Sequence, residues 1–162
     1  MGRHHPSTPA IAGWREWVAL PDLGVPHVKA KLDTGARTSA LHAFDLEELT
    51  RDGSDWVRFA VHPWQRSKAD EVVVECPVHD RRRVRSSSGH EQERIVIRTA
   101  ITLLGTPVTT EVTLSRRDEM GFRMLVGREA LRQGFVVDSA HSYLGGRPAR
   151  SVRLRNSGRH GA

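Results

Sequence analysis

The chain has 162 residues, 38% hydrophobic and 27% charged, with one cysteine, Cys76. That length suits one domain with its own buried core, and a lone thiol excludes an internal disulfide framework and a four-cysteine zinc site. Basic residues outnumber acidic ones 25 to 19, for a net charge of +6. Only Lys29, Lys31 and Lys68 are lysines, so the excess is arginine, whose planar fork suits carboxylates and phosphates.

Residues 1–12 read as a flexible leader, with two prolines and no periodicity. They lack the apolar core of a secretory signal, and no apolar run nears the ~20 residues of a membrane span. A cytoplasmic protein without membrane contact is expected. Trp14–Leu20 alternates as a strand, Pro21-Asp22-Leu23-Gly24 is a turn, and Val25–Leu32 returns with Val28, Ala30 and Leu32 on one face. Ser39–Ala43 is a short strand, and Phe44–Leu49 reads as a helical turn or loop. Trp56–His62 and Glu71–Glu75 are strands. Arg81–Arg85 and Arg94–Leu104 form a hairpin across Ser86-Ser87-Ser88-Gly89, and Val108–Leu114 follows the turn at Gly105-Thr106-Pro107. One helix is expected, Arg128–Gln133, stopped by Gly134. Phe135–Val137 and Ser142–Leu144 read as short strands, and 148–162 as a flexible basic tail. Many short strands with one late helix describe an all-β sandwich or barrel, with 13–147 as its domain.

Two segments carry chemistry. In Ala30-Lys31-Leu32-Asp33-Thr34-Gly35-Ala36-Arg37-Thr38-Ser39 a strand ends in a carboxylate, then a hydroxyl and a glycine. The glycine permits a tight turn and lets amides approach the carboxylate. Later, Met124-Leu125-Val126-Gly127-Arg128 runs an apolar strand into a helix start.

Their order resembles the retropepsin-like aspartic proteases, which share an apolar-Asp-Thr-Gly-Ala loop, a flap hairpin and a late apolar-apolar-Gly-Arg segment crossing behind the loop. More closely, the chain resembles a family of small bacterial retropepsin-like proteins often labelled "ATP-dependent zinc proteases" (RimB-like, partners of RimK-type glutamate ligases). The likeness covers about residues 13–145. It rests on Trp14–Pro21, Lys29–Ala43, Arg85–His90, Glu93-Arg94 with Val96-Ile97-Arg98, and Ser142-Tyr143-Leu144. It implies a mostly β, retropepsin-like closed barrel with one short helix in the C-terminal half. It also implies a catalytic loop at Asp33, Thr34 and Gly35, with the Thr34 hydroxyl tying two such loops together.

Aspartic proteolysis needs two carboxylates on one water, and the chain has one Asp-Thr-Gly. The expectation is therefore a homodimer in which Asp33 meets Asp33 across a two-fold axis. Asp138, in Val136-Val137-Asp138-Ser139-Ala140, is the internal rival. Substrate contacts are expected from Arg37, Arg83, Arg85, Ser87, Ser88, Gly89, Arg94 and Arg128, a basic set suited to an acidic peptide. The Ser86–His90 tip, with nothing apolar to bury, is expected to be the most mobile part of the domain. The resemblance points further, to an acidic protein C-terminal tail as substrate and to an ATP-grasp glutamate ligase as partner.

The "zinc" and "ATP" of the family label find no support in the residues. There is no His-Glu-x-x-His and no Gly-x-x-x-x-Gly-Lys-Ser/Thr. Cys76 and His79 are two soft side chains without a recognised zinc spacing. No metal and no cofactor are expected. Two other readings compete: a non-catalytic module that captures acidic tails, and an RNA- or ribosome-associated basic protein. Against the latter, the aromatics are few and not interleaved with the basic run.

Overall fold

The computed structural model describes residues 8–85, 88–115 and 121–158. Strands β1 to β12 span Ala10–Gly13, Arg15–Leu20, Val25–Asp33, Ser39–His42, Phe44–Arg51, Ser54–Val61, Val72–Pro77, Asp80–Arg85, Glu91–Leu103, Thr106–Ser115, Met124–Gly127 and Phe135–Asp138. Helices α1 and α2 span Arg128–Leu131 and Arg150–Asn156.

The chain is mostly β, and six strands close a barrel. The order β10-β4-β11-β3-β2-β9 returns on itself because β9 also pairs antiparallel with β10, Thr106 opposite Leu103 through Thr113 opposite Val96. Strand β8 extends β9 outward as the second arm of the hairpin. A separate three-stranded sheet, β5-β6-β7, and a two-stranded parallel pair, β1-β12, complete the molecule. Alternation explains the barrel. Val28, Ala30 and Leu32 of β3, Val18 and Leu20 of β2, and Ile97, Ile101 and Leu103 of β9 are all buried in one apolar cluster. Phe59 and Val74 join it from the small sheet. Burying a side chain of this size contributes ~1.5–3 kcal/mol.

Four segments depart from the sequence expectation. Phe44–Arg51 is a strand, not a helical turn or loop. Its register slips between Phe44 and Glu47, and Asp45 takes a positive φ of 53°, so the apolar residues lose the two-residue period and imitate helical spacing. Ser142–Leu144 is not a strand; the Tyr143 amide donates to Arg15 O of β2 and the Leu144 amide to the Glu16 carboxylate instead. Strand β1 starts at Ala10, inside the expected leader, because β12 offers it a parallel partner from Ala10 opposite Phe135 to Gly13 opposite Asp138.

The fourth departure is α2, which occupies the expected flexible tail. Its Asn156 is 4% exposed. The Asn156 side chain accepts from Gln65 N at 2.9 Å and donates to Gln65 Oε1 at 2.9 Å, while Asn156 O accepts from Arg66 N at 3.2 Å. A tertiary dock of this kind overrides a composition that reads as frayed. Helix α1 ends at Leu131 and turns through Arg132 to Gly134, whose amide reaches Leu131 O at 3.3 Å.

Candidate active site

Strand β3 carries Asp33 to its end, where the chain leaves the barrel. The Asp33 carboxylate accepts from Gly35 N at 2.9 Å through Oδ1, and Asp33 O accepts from Ala36 N at 3.2 Å. These bonds fold Asp33-Thr34-Gly35-Ala36 into a tight loop with Asp33 half-buried and Thr34 and Gly35 exposed. One carboxylate oxygen is thus held by the loop itself, which fixes the orientation of the group.

The second motif braces this loop from behind. Strand β11 runs parallel to β3 and places Gly127 opposite Asp33. Gly127 N donates to Ser39 Oγ at 3.0 Å, Arg128 N to Ala36 O at 2.8 Å, and Glu129 N to Arg37 O at 3.1 Å. The Arg128 guanidinium donates to Gly35 O at 3.1 Å. A Cβ on Gly127 would lie 2.5 Å from Thr38 O and 2.6 Å from Thr38 C. Only a glycine lets the two backbones cross this closely.

Arg37 follows the loop but is engaged elsewhere: its Nε reaches Glu129 Oε1 at 2.9 Å, and its side chain is 74% exposed. In this structure Arg37 pairs with Glu129 and Arg128 with the loop carbonyl of Gly35. The rival carboxylate, Asp138, has both oxygens engaged in its own turn, accepting from Ala140 N at 2.9 Å and pairing with His141 Nδ1 at 2.7 Å. The Ala140 amide, then His141, hold its carboxyl below the usual range.

The expected flap arginines lie on the β8–β9 hairpin, where acidic neighbours meet most of them. Arg81 reaches Glu48, and Arg82 reaches Asp80 at 2.9 Å and Glu111 at 2.6 Å. The Arg82 guanidinium holds the Glu111 carboxyl below its ordinary range. Arg83 and Arg85, 76% and 73% exposed, lie 3.5 and 3.6 Å from Glu91. Arg94 donates to Ser115 Oγ at 2.7 Å. At the tip, Ser88 and Gly89 are described, with Gly89 at a φ of 84°, whereas Ser86 and Ser87 lie outside the described residues, so the expected mobility of the tip stays an expectation.

One residue that composition and motif did not flag is central to this end of the fold. Glu16 is fully buried. Its Oε2 accepts from Gly13 N at 2.7 Å and Leu144 N at 2.8 Å, and its Oε1 from Gly145 N at 3.0 Å. A single carboxylate so ties β1, β2 and the 144–145 turn together. Gly13 must be a glycine here, since a Cβ would lie 2.6 Å from His141 O. The available signal was parity: Glu16, Val18 and Leu20 share the inward face of β2.

Among the described residues no group of three or more His, Cys, Asp or Glu side chains is gathered to hold a metal ion. His79 Nε2 sits 3.3 Å from Glu111. Burial pushes the Cys76 thiol up to about 11, so the thiol stays protonated near neutral pH. Alkylation of Cys76 in the native protein, followed by mass spectrometry with iodoacetamide, is expected to run about a hundredfold slower than in the unfolded chain. A rate within tenfold of the unfolded one contradicts this environment. No helix among the described residues is long and apolar enough to cross a membrane.

With this geometry in place, residues 11–148 match the RimB-like family, described as "Retropepsin-like aspartic endopeptidase RimB", and the chain belongs to that family. It is 45% identical over 130 residues to a "Probable alpha-L-glutamate ligase" of Desulfotalea psychrophila, a match covering 80% of this chain and 28% of the relative. Another protein of that name, from Shewanella pealeana, is 45% identical over 133 residues, covering 82% and 29%. The chain thus spans under a third of these relatives' length. Its fold is similar to the crystal structure of Lpg0085 from Legionella pneumophila subsp. pneumophila str. Philadelphia 1, a protein of unknown function (DUF785). The TM-score is 0.70 with 28% identity, over 84% of this chain and 98% of that one.

Proposed function

We propose that the chain is one half of an aspartic peptidase that trims acidic, glutamate-rich protein tails. The observation that carries this reading is the Asp33 loop. A strand delivers one carboxylate, Gly35 N fixes one of its oxygens, and the β11–α1 crossing clamps the loop from behind. Two such loops facing each other across a two-fold axis supply the pair of carboxylates the chemistry needs. Like charges that close share one proton. The ionised Asp33 takes a proton from water, the neutral one polarises the peptide carbonyl, and the water oxygen bonds to the carbonyl carbon. Proton transfer to the leaving nitrogen then breaks the C–N bond. Thr34, exposed beside Asp33, is the hydroxyl assigned to join the two loops.

Ile11 and Val136, cross-strand partners 56% and 46% exposed on the β1–β12 pair, support a surface for the second copy. The names of the longer relatives support a glutamate ligase as partner, with this domain removing what such a ligase adds. The same names favour a second reading, in which the domain only holds the acidic tail for a ligase.

Dilution tests the half-site. Specific activity on an oligoglutamate-tailed protein is expected to fall as the protomer concentration drops below the dimer dissociation constant, approaching second order in protomer. Constant specific activity in a sample shown to be monomeric by sedimentation removes the shared-carboxylate mechanism.

A further inference from the structure

Most of the hairpin arginines are met by acidic neighbours, and a cluster of cations with no carboxylate partner among the described residues lies elsewhere. Around the Tyr143 ring stand Arg147 at 4.8 Å, Arg15 at 5.0 Å and Lys29 at 5.4 Å from the centroid. Arg15 also covers Trp14 at 4.7 Å, and Lys29 covers Trp17 at 5.8 Å. Arg15 donates to Ser142 Oγ at 3.0 Å. Among the described residues none of the three pairs with a carboxylate. Three like charges around one ring repel one another, and the ring face offsets this only in part. An incoming anion offsets the rest.

The platform is built rather than incidental. Strands β2 and β3 set Trp17 opposite Lys29 and Arg15 opposite Lys31. Tyr143 N bonds to Arg15 O at 3.0 Å, Gly146 N closes the turn on Tyr143 O at 3.0 Å, and Glu16 takes the next two amides. Tyr143 itself adopts a positive φ of 56°, an uncommon conformation for a bulky residue. Its hydroxyl is buried and finds no hydrogen-bond partner among the described residues. Alongside opens a cleft of about 290 Å³ lined by Trp17, His27, Thr102, Gly145, Gly146 and Arg147.

We propose that this cluster is a second binding site, outside the Asp33 loop, for the carboxylates of an acidic peptide. The choice of an acidic peptide rests on the function proposed above; the choice of this surface does not. Nucleic acid fits it poorly, because base stacking needs open aromatic faces and here Trp14, Trp17 and Tyr143 each already carry a cation of the protein. Lys29, Lys31 and Asp33 lie on the same face of β3, and four residues of strand span about 13 Å. An extended acidic chain held at Asp33 reaches Lys29 within a similar number of residues. The second contact acts at the high effective concentration set by the first, so longer tails bind more tightly.

The test measures binding of fluorescein-labelled triglutamate and octaglutamate to the full-length Asp33→Asn protein, which leaves the peptides uncut. Affinity is expected to rise about tenfold from three to eight glutamates, and the rise is expected to vanish in Lys29→Gln/Arg147→Gln on the same background. Lys29→Arg, which keeps the charge, retains the rise, and that separates charge from misfolding. The proposal is overturned if the parent shows no gain with length or if the double variant keeps it. A larger loss for a single-stranded RNA than for octaglutamate overturns it in favour of nucleic acid. The peptidase reading stands or falls separately, on cleavage by the wild-type protein.

Discussion

Glu16→Ala is expected to destabilise the domain by several kcal/mol, among the largest effects of any single change in the chain. Three amides point at this fully buried carboxylate, that of Gly13 from a buried position and those of Leu144 and Gly145 from a part-exposed turn. Each buried N–H left without an acceptor costs ~1–3 kcal/mol, against a total stability of about 5–15 kcal/mol. Glu16→Gln should fall between. The amide oxygen can serve two of the three donors, while its NH2 faces the third as a donor against a donor. Urea denaturation reads the outcome: the midpoint falls in the order wild type, Gln, Ala, with the slope unchanged. A Gln variant as stable as wild type would mean the charge and second oxygen are dispensable, and an Ala variant as stable would remove the latch altogether.

The second large effect is on activity. Asp33→Asn is expected to abolish tail cleavage, by about 10³-fold or more given what general acid–base groups contribute. The amide is nearly the same size and keeps an oxygen for Gly35 N, so the loop and the fold should persist. Mixing sharpens the reading. When equal amounts of wild type and Asp33→Asn exchange subunits, about a quarter of the dimers carry two carboxylates, and activity should fall to that fraction. An activity near half indicates that each subunit works alone. If wild type and variant bind oligoglutamate equally and neither cleaves it, the domain is a tail holder, and the scaffold has been kept without the reaction.

The candidate site's skeleton was legible because it is local and glycine-marked. Asp33-Thr34-Gly35 ends a strand whose alternation is plain, and Gly127-Arg128 sits where an apolar strand meets a helix. Most of the strands were legible for the same reason, since they keep a two-residue period, whereas their closure into a barrel was implied by the family resemblance and not by the period. What escaped notice depends on contacts far apart in sequence. Asn156 looks like tail chemistry until Gln65 is beside it. Glu16 looks like an ordinary strand carboxylate until three distant amides converge on it. The hairpin arginines looked available because sequence does not show that Glu48, Glu91 and Glu111 come to meet them. Periodicity reports which face a residue takes, not which residue faces it.

The Glu16 latch also constrains how the protein comes to be folded. Its bond from Leu144 joins residues 128 positions apart, and β1 waits for β12 in the same way. Closing so long a loop must be completed before the contact gives anything back. A nascent chain holding β1 to β4 has neither β10 nor β11 to pair with. The first half therefore leaves the ribosome with open strand edges, and the barrel closes late, almost all at once. Until then those edges are exposed to other chains, which makes the period of synthesis, rather than the finished state, the time of greatest aggregation risk.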